Sequence, residues 1–328
     1  SRLSKGARGY LLAEEGRIEP ALAPRNAEAV ELDPAQTTEQ AARDILRECF
    51  DQIATNIVVI SGLDDSEGPH QLRVGLRRLR SAFSTFAPVL ACAEMERLNS
   101  EARWLGQEVG RLRDMEVVLD EIVGREARAH PDEPDLRALA HRLAPQAVAL
   151  REHLRGTLAG TRVQALLLDL ARFTETRGWL LPHDFDQTER LAMPAAEFAR
   201  QALNRRWKKV VGRAEGLAAL NTEARHDLRK ELKKLRYVIE FLSPLYPAKR
   251  VAPFVKRLKK LQTIFGELND AATVKAMFAR PQPGSVGDAA SARAVGWITG
   301  ASLARSDCAW TGAQSLWRKL EDTRAFWK

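Results

Sequence analysis

His70-Gln71-Leu72-Arg73-Val74-Gly75-Leu76-Arg77-Arg78-Leu79-Arg80 returns later in the chain as His226-Asp227-Leu228-Arg229-Lys230-Glu231-Leu232-Lys233-Lys234-Leu235-Arg236. Both segments read as helix. At about 100° per residue, Leu72, Leu76, Leu79, Phe83 and Phe86 fall on one apolar stripe, which is the expected core face. His70, Arg73, Arg77 and Arg80 fall on a second stripe, within about 80° of one another. The later copy places Leu228, Leu232, Leu235, Ile239 and Leu242 on the apolar stripe, with His226, Arg229, Lys233 and Arg236 on the polar one. Arg78, Lys230 and Lys234 are expected on the outer side.

These stripes lack the counter-charges of an ordinary solvated helix face. Residues 70–80 hold four Arg and no acid, and residues 226–236 hold five bases against two acids, Asp227 and Glu231. Exposed helices usually alternate sign at i,i+4, where each opposite pair contributes a few tenths of a kcal/mol. Arg73–Arg77 and Arg229–Lys233 are like-charge pairs at that spacing, which cost a similar amount. A repeated unfavourable arrangement makes sense if an anion relieves it. At about 1.5 Å per residue each stripe is about 15 Å long, too long for one phosphate and suited to an extended polyanion. Further bases lie at Arg205, Arg206, Lys208, Lys209 and Arg213, and at Lys256, Arg257, Lys259 and Lys260. Arg103 matches Lys259 in the repeat. If the two segments face each other, these groups line one basic groove or pore.

The repeat extends outward from the stripes. Its offset is 156 residues throughout, so that Pro88 meets Pro244, Leu105 meets Leu261, and Gly110-Arg111-Leu112-Arg113-Asp114 meets Gly266-Glu267-Leu268-Asn269-Asp270. The chain after residue 35 therefore reads as two related halves, about 36–180 and 188–328. Thr37 or Thr38 is placed to cap a helix carrying Ile45, Leu46, Cys49, Phe50, Ile53 and Ile57. Further helices are predicted from about Pro69 to Ala87 and near 93–112, 114–128, 134–157, 160–177 and 192–219. Three or four more follow, interrupted at 281–288. No alternating strand pattern occurs after residue 40, so the fold class is all-α, a helical bundle of two pseudo-symmetric halves. Residues 1–34, punctuated by Pro20, Pro24 and Pro34, read as an extension with room for one short strand.

Composition narrows the function classes. The 328 residues carry 51 Lys+Arg against 43 Asp+Glu, a net charge of +8, which points to an anionic partner without naming it. Cys49, Cys92 and Cys308 are odd in number and far apart, which suits free thiols in a reducing compartment. No metal-ligand spacing and no cofactor motif is present. No run approaches the ~20 apolar residues that span a bilayer. The chain begins with Ser and reads as a piece of a longer one.

Three readings of His70 and His226 stay open on the residues alone: phosphate donors, helix-orienting side chains, or phosphoryl acceptors that would need an orienting acid. Metal ligation lacks carboxylate or thiol neighbours at close helical spacing. Gly110–Asp114 and Gly266–Asp270 read as helix junctions, with Asp capping the next helix. The alternative is that these Asp residues hold a stripe Arg or His. Trp297, Trp310, Trp317 and Trp327 read as core.

The paired H-x-x-R-x-x-x-[RK]-[RK]-x-R helices, each followed by G-x-x-[RN]-D, resemble the CHAD family, the conserved histidine α-helical domain, over about residues 36–328. The resemblance implies inorganic polyphosphate as partner, bound by basic residues lining a central channel. It also implies association with polyphosphate granules in the cytoplasm and no catalytic activity of the domain itself. Carried over residue by residue, His70, Arg73, Arg77 and Arg80 with His226, Arg229, Lys233 and Arg236 occupy the family's motif positions, and Arg78, Lys230 and Lys234 join them in the expected binding set. Arg103, Lys208, Lys209, Lys256 and Lys259 flank it. Lys at 230, 233 and 234 binds as a point charge, where Arg offers a bidentate fork. Asn269 stands where the first copy has Arg113, so unequal contributions from the two halves are expected. Ser4-Lys5-Gly6-Ala7-Arg8-Gly9-Tyr10-Leu11-Leu12-Ala13 is similar to the tail of a CYTH domain, which implies a fused or associated triphosphate tunnel enzyme domain upstream. That tunnel's acidic metal-binding residues have no strand context here, so this chain is assigned no such activity.

Other classes fit less well. Single-strand nucleic-acid binders stack bases on exposed aromatics at ~1–3 kcal/mol each, and Tyr237 alone stands near the stripes. An enzyme needs paired acid and base or a metal, and the stripes supply donors only. Docking to an acidic protein remains open on charge. Membrane docking lacks apolar wedges in the stripes.

Overall fold

The computed structural model describes residues 22–278 and 289–328, without the side chains of residues 267–272, 275 and 289. The expected interruption at 281–288, the segment 4–13 and the side chains of Asn269 and Asp270 lie outside the described residues. Among the described residues eleven α-helices follow one another: α1 (Thr38–Gly62), α2 (Glu67–Leu90), α3 (Ala93–Glu116), α4 (Gly124–Ala129), α5 (Pro134–Ala159), α6 (Thr161–Glu175), α7 (Phe185–Ala192), α8 (Ala195–Ala214), α9 (Thr222–Leu242), α10 (Ala248–Phe278) and α11 (Ala289–Glu321). There is no strand among the described residues beyond an isolated bridge between Thr37 and Pro194. The fold is all-α.

Local chemistry sets the ends of the elements that frame the site. Thr37 closes a capping box on α1: its hydroxyl accepts from the Gln40 amide at 3.2 Å, and the Gln40 side chain accepts from the Thr37 amide at 2.9 Å. Asp65 accepts from the amides of Glu67 and Gly68 at 2.9 and 2.8 Å, so α2 starts at Glu67 and Pro69 sits in its first turn, where proline costs little. Asn221 caps α9 through the Ala224 amide at 2.9 Å. The helix expected over 192–219 is α8, which starts after Pro194. It ends at Ala214, ahead of Gly216, whose φ of 63° suits glycine and terminates the helix.

Two sequence expectations give way here. No junction exists at Gly110–Asp114: α3 continues without a break through a π-helical stretch, Val117–Val123, into α4. Asp114 is not a cap, and its actual partner is described below. Trp310, Trp317 and Trp327 are buried as expected, but Trp297 is 37% exposed and lies edge-on to His130 at 4.9 Å.

The main core joins α1, α2, α3 and α6 to α8, α9, α10 and the end of α11. Every residue of the two apolar stripes is in it, from Leu72 to Phe86 and from Leu228 to Leu242. Each buried Leu or Phe contributes on the order of 1.5–3 kcal/mol, and this fixes which way the polar stripes face. A smaller core lies between α5, the π-helical stretch and the facing parts of α10 and α11.

Arg78 departs most sharply from expectation. It is 1% exposed and points inward. Its Nε donates to Glu240 at 2.7 Å and its Nη1 to Gln52 at 2.8 Å, with Glu48 at 3.5 Å. Gln52 donates in turn to Gln71 at 3.1 Å. A stretch of chain before α1 completes the network, since Arg25 and the Glu28 amide both donate to Glu48, at 2.5 and 2.7 Å. The reason for the misplacement is angular: position 78 follows the polar stripe by one residue and faces the α1–α9 seam, where carboxylates wait. Arg78 ties α1, α2 and α9 together and is not a surface base.

Candidate functional site

The two motif helices meet. Arg77 donates to the Tyr237 hydroxyl at 2.5 Å and Arg78 to Glu240. Further along, Arg206 of α8 donates to both Ser84 and Glu231, at 3.3 and 2.9 Å. Increasing numbers on α2 thus face decreasing numbers on α9, and the helices run in opposite directions. The apolar stripes of both turn into the core, which leaves the polar stripes beside the crossing.

A cavity of about 440 Å³ opens there, lined by Arg77, Arg80, Ser81, Phe83, Ser84, Thr85, Ala87, Met95, Asn99, Arg206, Lys230, Lys233, Lys234 and Tyr237. Six of these are cations and none is an acid. A neighbouring hollow of about 640 Å³ shares Ser84, Thr85, Ala87 and Arg206 and adds Arg205, Lys208 and Lys209, again with no acid. The two form one continuous basic groove between α2, α8 and α9. Acids lie behind its rim: Glu231 holds Arg206 at 2.9 Å and Lys234 at 2.6 Å, and Asp227 holds Lys230 at 3.1 Å. Burial pushes Glu231 up, but Lys234 and Arg206 outweigh it and hold the carboxyl below its usual range. Among the described residues no carboxylate pairs with Arg77, Arg80 or Lys233. Arg80 meets only the Asn99 amide oxygen, at 3.3 Å.

Positive charge crowds around Lys233. Its ammonium is pushed down to about 7 by burial and then by Arg77, Arg229, Arg73 and Arg236. Both motif histidines are held below their usual value. For His70 the causes are burial, then Arg113 and Arg77; for His226 they are burial, then Lys230 and Arg229. Burial and the neighbouring Arg103 lower Arg80 as well. An anion held beside any of these groups would favour its charged form.

Arg73 explains the glycine of the second motif. Its Nη1 donates to the Gly110 carbonyl at 3.0 Å and to Asp114 at 2.9 Å. A Cβ on Gly110 would lie 2.9 Å from that same nitrogen. Glycine leaves room for the guanidinium, and Asp114 aims it, so the Asp holds a stripe Arg as the alternative sequence reading has it. Arg113 turns away to Glu121 at 2.5 Å.

The remaining expected residues are dispersed. His70, Arg236 and Lys259 line a separate cavity of about 610 Å³ with Glu28 and Glu240 in its wall, a mixed-charge surface. Arg229 is half-buried beside Lys233, and Arg103 is exposed near Arg80. Lys256 is exposed and lines none of these cavities. Arg78 belongs to the buried network. Sequence reading did not include Ser81, Ser84, Asn99 and the Tyr237 hydroxyl in the binding set. Tyr237 follows Lys233 by four residues and so shares its stripe, which is the signal that marks it.

The model of the CHAD domain matches residues 44–279, most of the chain. The chain belongs to the CHAD family. A crystal structure of the CHAD domain from the plant Ricinus communis is similar at 28% identity and a TM-score of 0.77, covering 92% of this chain and 98% of that one. PptA from Streptomyces chartreusis shares the fold at 16% identity and a TM-score of 0.62, covering 86% of this chain and all of that one. No curated protein matches the chain. In this CHAD domain, no helix among the described residues is long and apolar enough to cross a membrane. Nor do the described residues hold a group of His, Cys, Asp or Glu suited to a metal ion.

Proposed function

We propose that this CHAD domain binds inorganic polyphosphate in the groove between α2, α8 and α9 and thereby associates with polyphosphate granules. The observation that carries the reading is the cavity lining: six cations without an acid, three of which have no carboxylate partner among the described residues. A chain of phosphates supplies the missing charge to Arg77, Arg80, Lys233, Lys230 and Lys234 in succession, and Ser81, Ser84 and Asn99 add neutral hydrogen-bonding groups. Nucleic acid fits less well. The rings lining the groove, Phe83 and Tyr237, are each 2% exposed and present no stacking platform.

The test is titration with long-chain polyphosphate, triphosphate and single-stranded DNA at two salt concentrations. The reading expects tight binding of the long chain that weakens steeply with salt, because binding releases counterions from the polyanion, and much weaker binding of the other two. Equal affinity for all three, or none for polyphosphate, overturns it.

A further inference from the structure

Lys233 is a poorly accommodated charge, partly buried among cations with its ammonium pushed down to about 7. It sits on α9 at the crossing with α2. Arg73 and Arg77 act on it from α2, and Arg229 and Arg236 from its own helix. Lys230 and Lys234 flank it on α9, Arg80 lies beyond Arg77 on α2, and Arg206 faces the same cavity from α8. The acids that pair with members of this cluster are engaged elsewhere than at Lys233: Asp114 of α3 with Arg73, Glu231 with Arg206 and Lys234, Asp227 with Lys230. Tyr237 contributes a hydroxyl that accepts from Arg77. No described carboxylate faces the Lys233 ammonium.

We propose that Lys233 couples polyphosphate binding to proton uptake, so that the affinity of the groove is set by pH across the neutral to mildly alkaline range. This rests on the polyphosphate reading above. In the empty groove the ammonium is enclosed by guanidinium groups, and burial and that surrounding charge favour the neutral amine from about pH 7 upward. A polyanion laid along the stripe reverses the local potential, and the amine takes a proton from solvent as the chain binds. Arginine in the same place holds its charge at all working pH values and lacks this response. His70 and His226 titrate lower, because both are held below the usual imidazole value. The interval above pH 7 therefore reports on Lys233.

The sign follows from linkage. The bound state holds one more proton than the free state between about pH 7 and the ordinary lysine value, so affinity falls as pH rises through that interval. If the bound ammonium recovers its ordinary value, the fall from pH 7 to pH 9 is roughly 50-fold. The experiment is calorimetric titration of the intact protein with long-chain polyphosphate at pH 7, 8 and 9. Each pH is run in two buffers of different ionisation enthalpy, with wild type, Lys233→Arg and Lys233→Met. Wild type is expected to lose affinity with pH and to take up about one proton per bound chain segment at pH 8–9. Lys233→Arg is expected to bind with an affinity constant within about twofold over the range and without that uptake. Lys233→Met should be equally flat but weaker at pH 7. A flat wild-type profile, or the same fall and uptake in either variant, overturns the proposal. Absence of any wild-type binding at pH 7 instead overturns the polyphosphate reading beneath it.

Discussion

Arg77 and Arg78 are neighbours of the same residue type, and the fold gives them opposite tasks. Arg78 is 1% exposed, with Glu240, Glu48 and Gln52 as partners. Replacing it with alanine strands Glu240 and Gln52 and leaves a cavity where the guanidinium was. Removing one partner of a buried charge pair costs about 3–5 kcal/mol, and Glu48 keeps Arg25 at 2.5 Å in the variant. An unfolding entropy of about 2.1 cal/mol/K per residue over 328 residues amounts to about 0.7 kcal/mol/K, so Tm falls by about 4–7 °C. Arg77 lines the groove and, among the described residues, bonds only to the Tyr237 hydroxyl. Its removal lifts like-charge repulsion, so Arg77→Ala changes stability by less than about 1 kcal/mol while weakening polyphosphate binding. Urea denaturation and thermal melts read the stability, and titration of each folded variant reads the binding. The reasoning is refuted if Arg78→Ala is as stable as wild type, or if the two variants lose stability equally.

Two further outcomes follow from the same geometry. Gly110→Ala places a Cβ 2.9 Å from Arg73 Nη1 and drives the guanidinium off Asp114; polyphosphate affinity should fall while α3 stays helical by circular dichroism. For the free protein, Lys233 is less protonated folded than unfolded between about pH 7 and its usual 10.5, so stability rises with pH over that window and is lowest below it. Lys233→Met should be more stable than wild type at pH 6.5, with the difference shrinking toward pH 10 in urea titrations.

Much of this arrangement is legible in the chain because two periodicities coincide. Leu72, Leu76 and Leu79 fix the buried face of α2, and His70, Arg73, Arg77 and Arg80 are then placed by angle alone. The 156-residue offset points at α9 as the other wall. What stays hidden depends on contacts between elements. Arg78 lies one position from the stripe, and only Glu48 and Glu240, supplied by α1 and α9, make its burial tolerable. Gly110 looks like a helix terminator because glycine has poor helix propensity, yet it is a gap cut for Arg73. Lys256 and Lys259 share one basic run, but α10 turns only Lys259 toward a cavity wall. Arg206, grouped in sequence with Arg205, Lys208 and Lys209, proves to be the residue shared by both parts of the groove.

The most direct test of the central claim is the affinity of long-chain polyphosphate for wild type and for Arg77→Ala/Arg80→Ala/Lys230→Ala/Lys234→Ala, measured at one pH and salt concentration. All four residues line the acid-free cavity, and none belongs to the buried network. The folded variant is expected to lose at least about 100-fold in affinity, and its salt dependence to become shallower by several counterions. Wild-type affinity and an unchanged salt slope in the variant would contradict it and move the binding surface elsewhere on the protein.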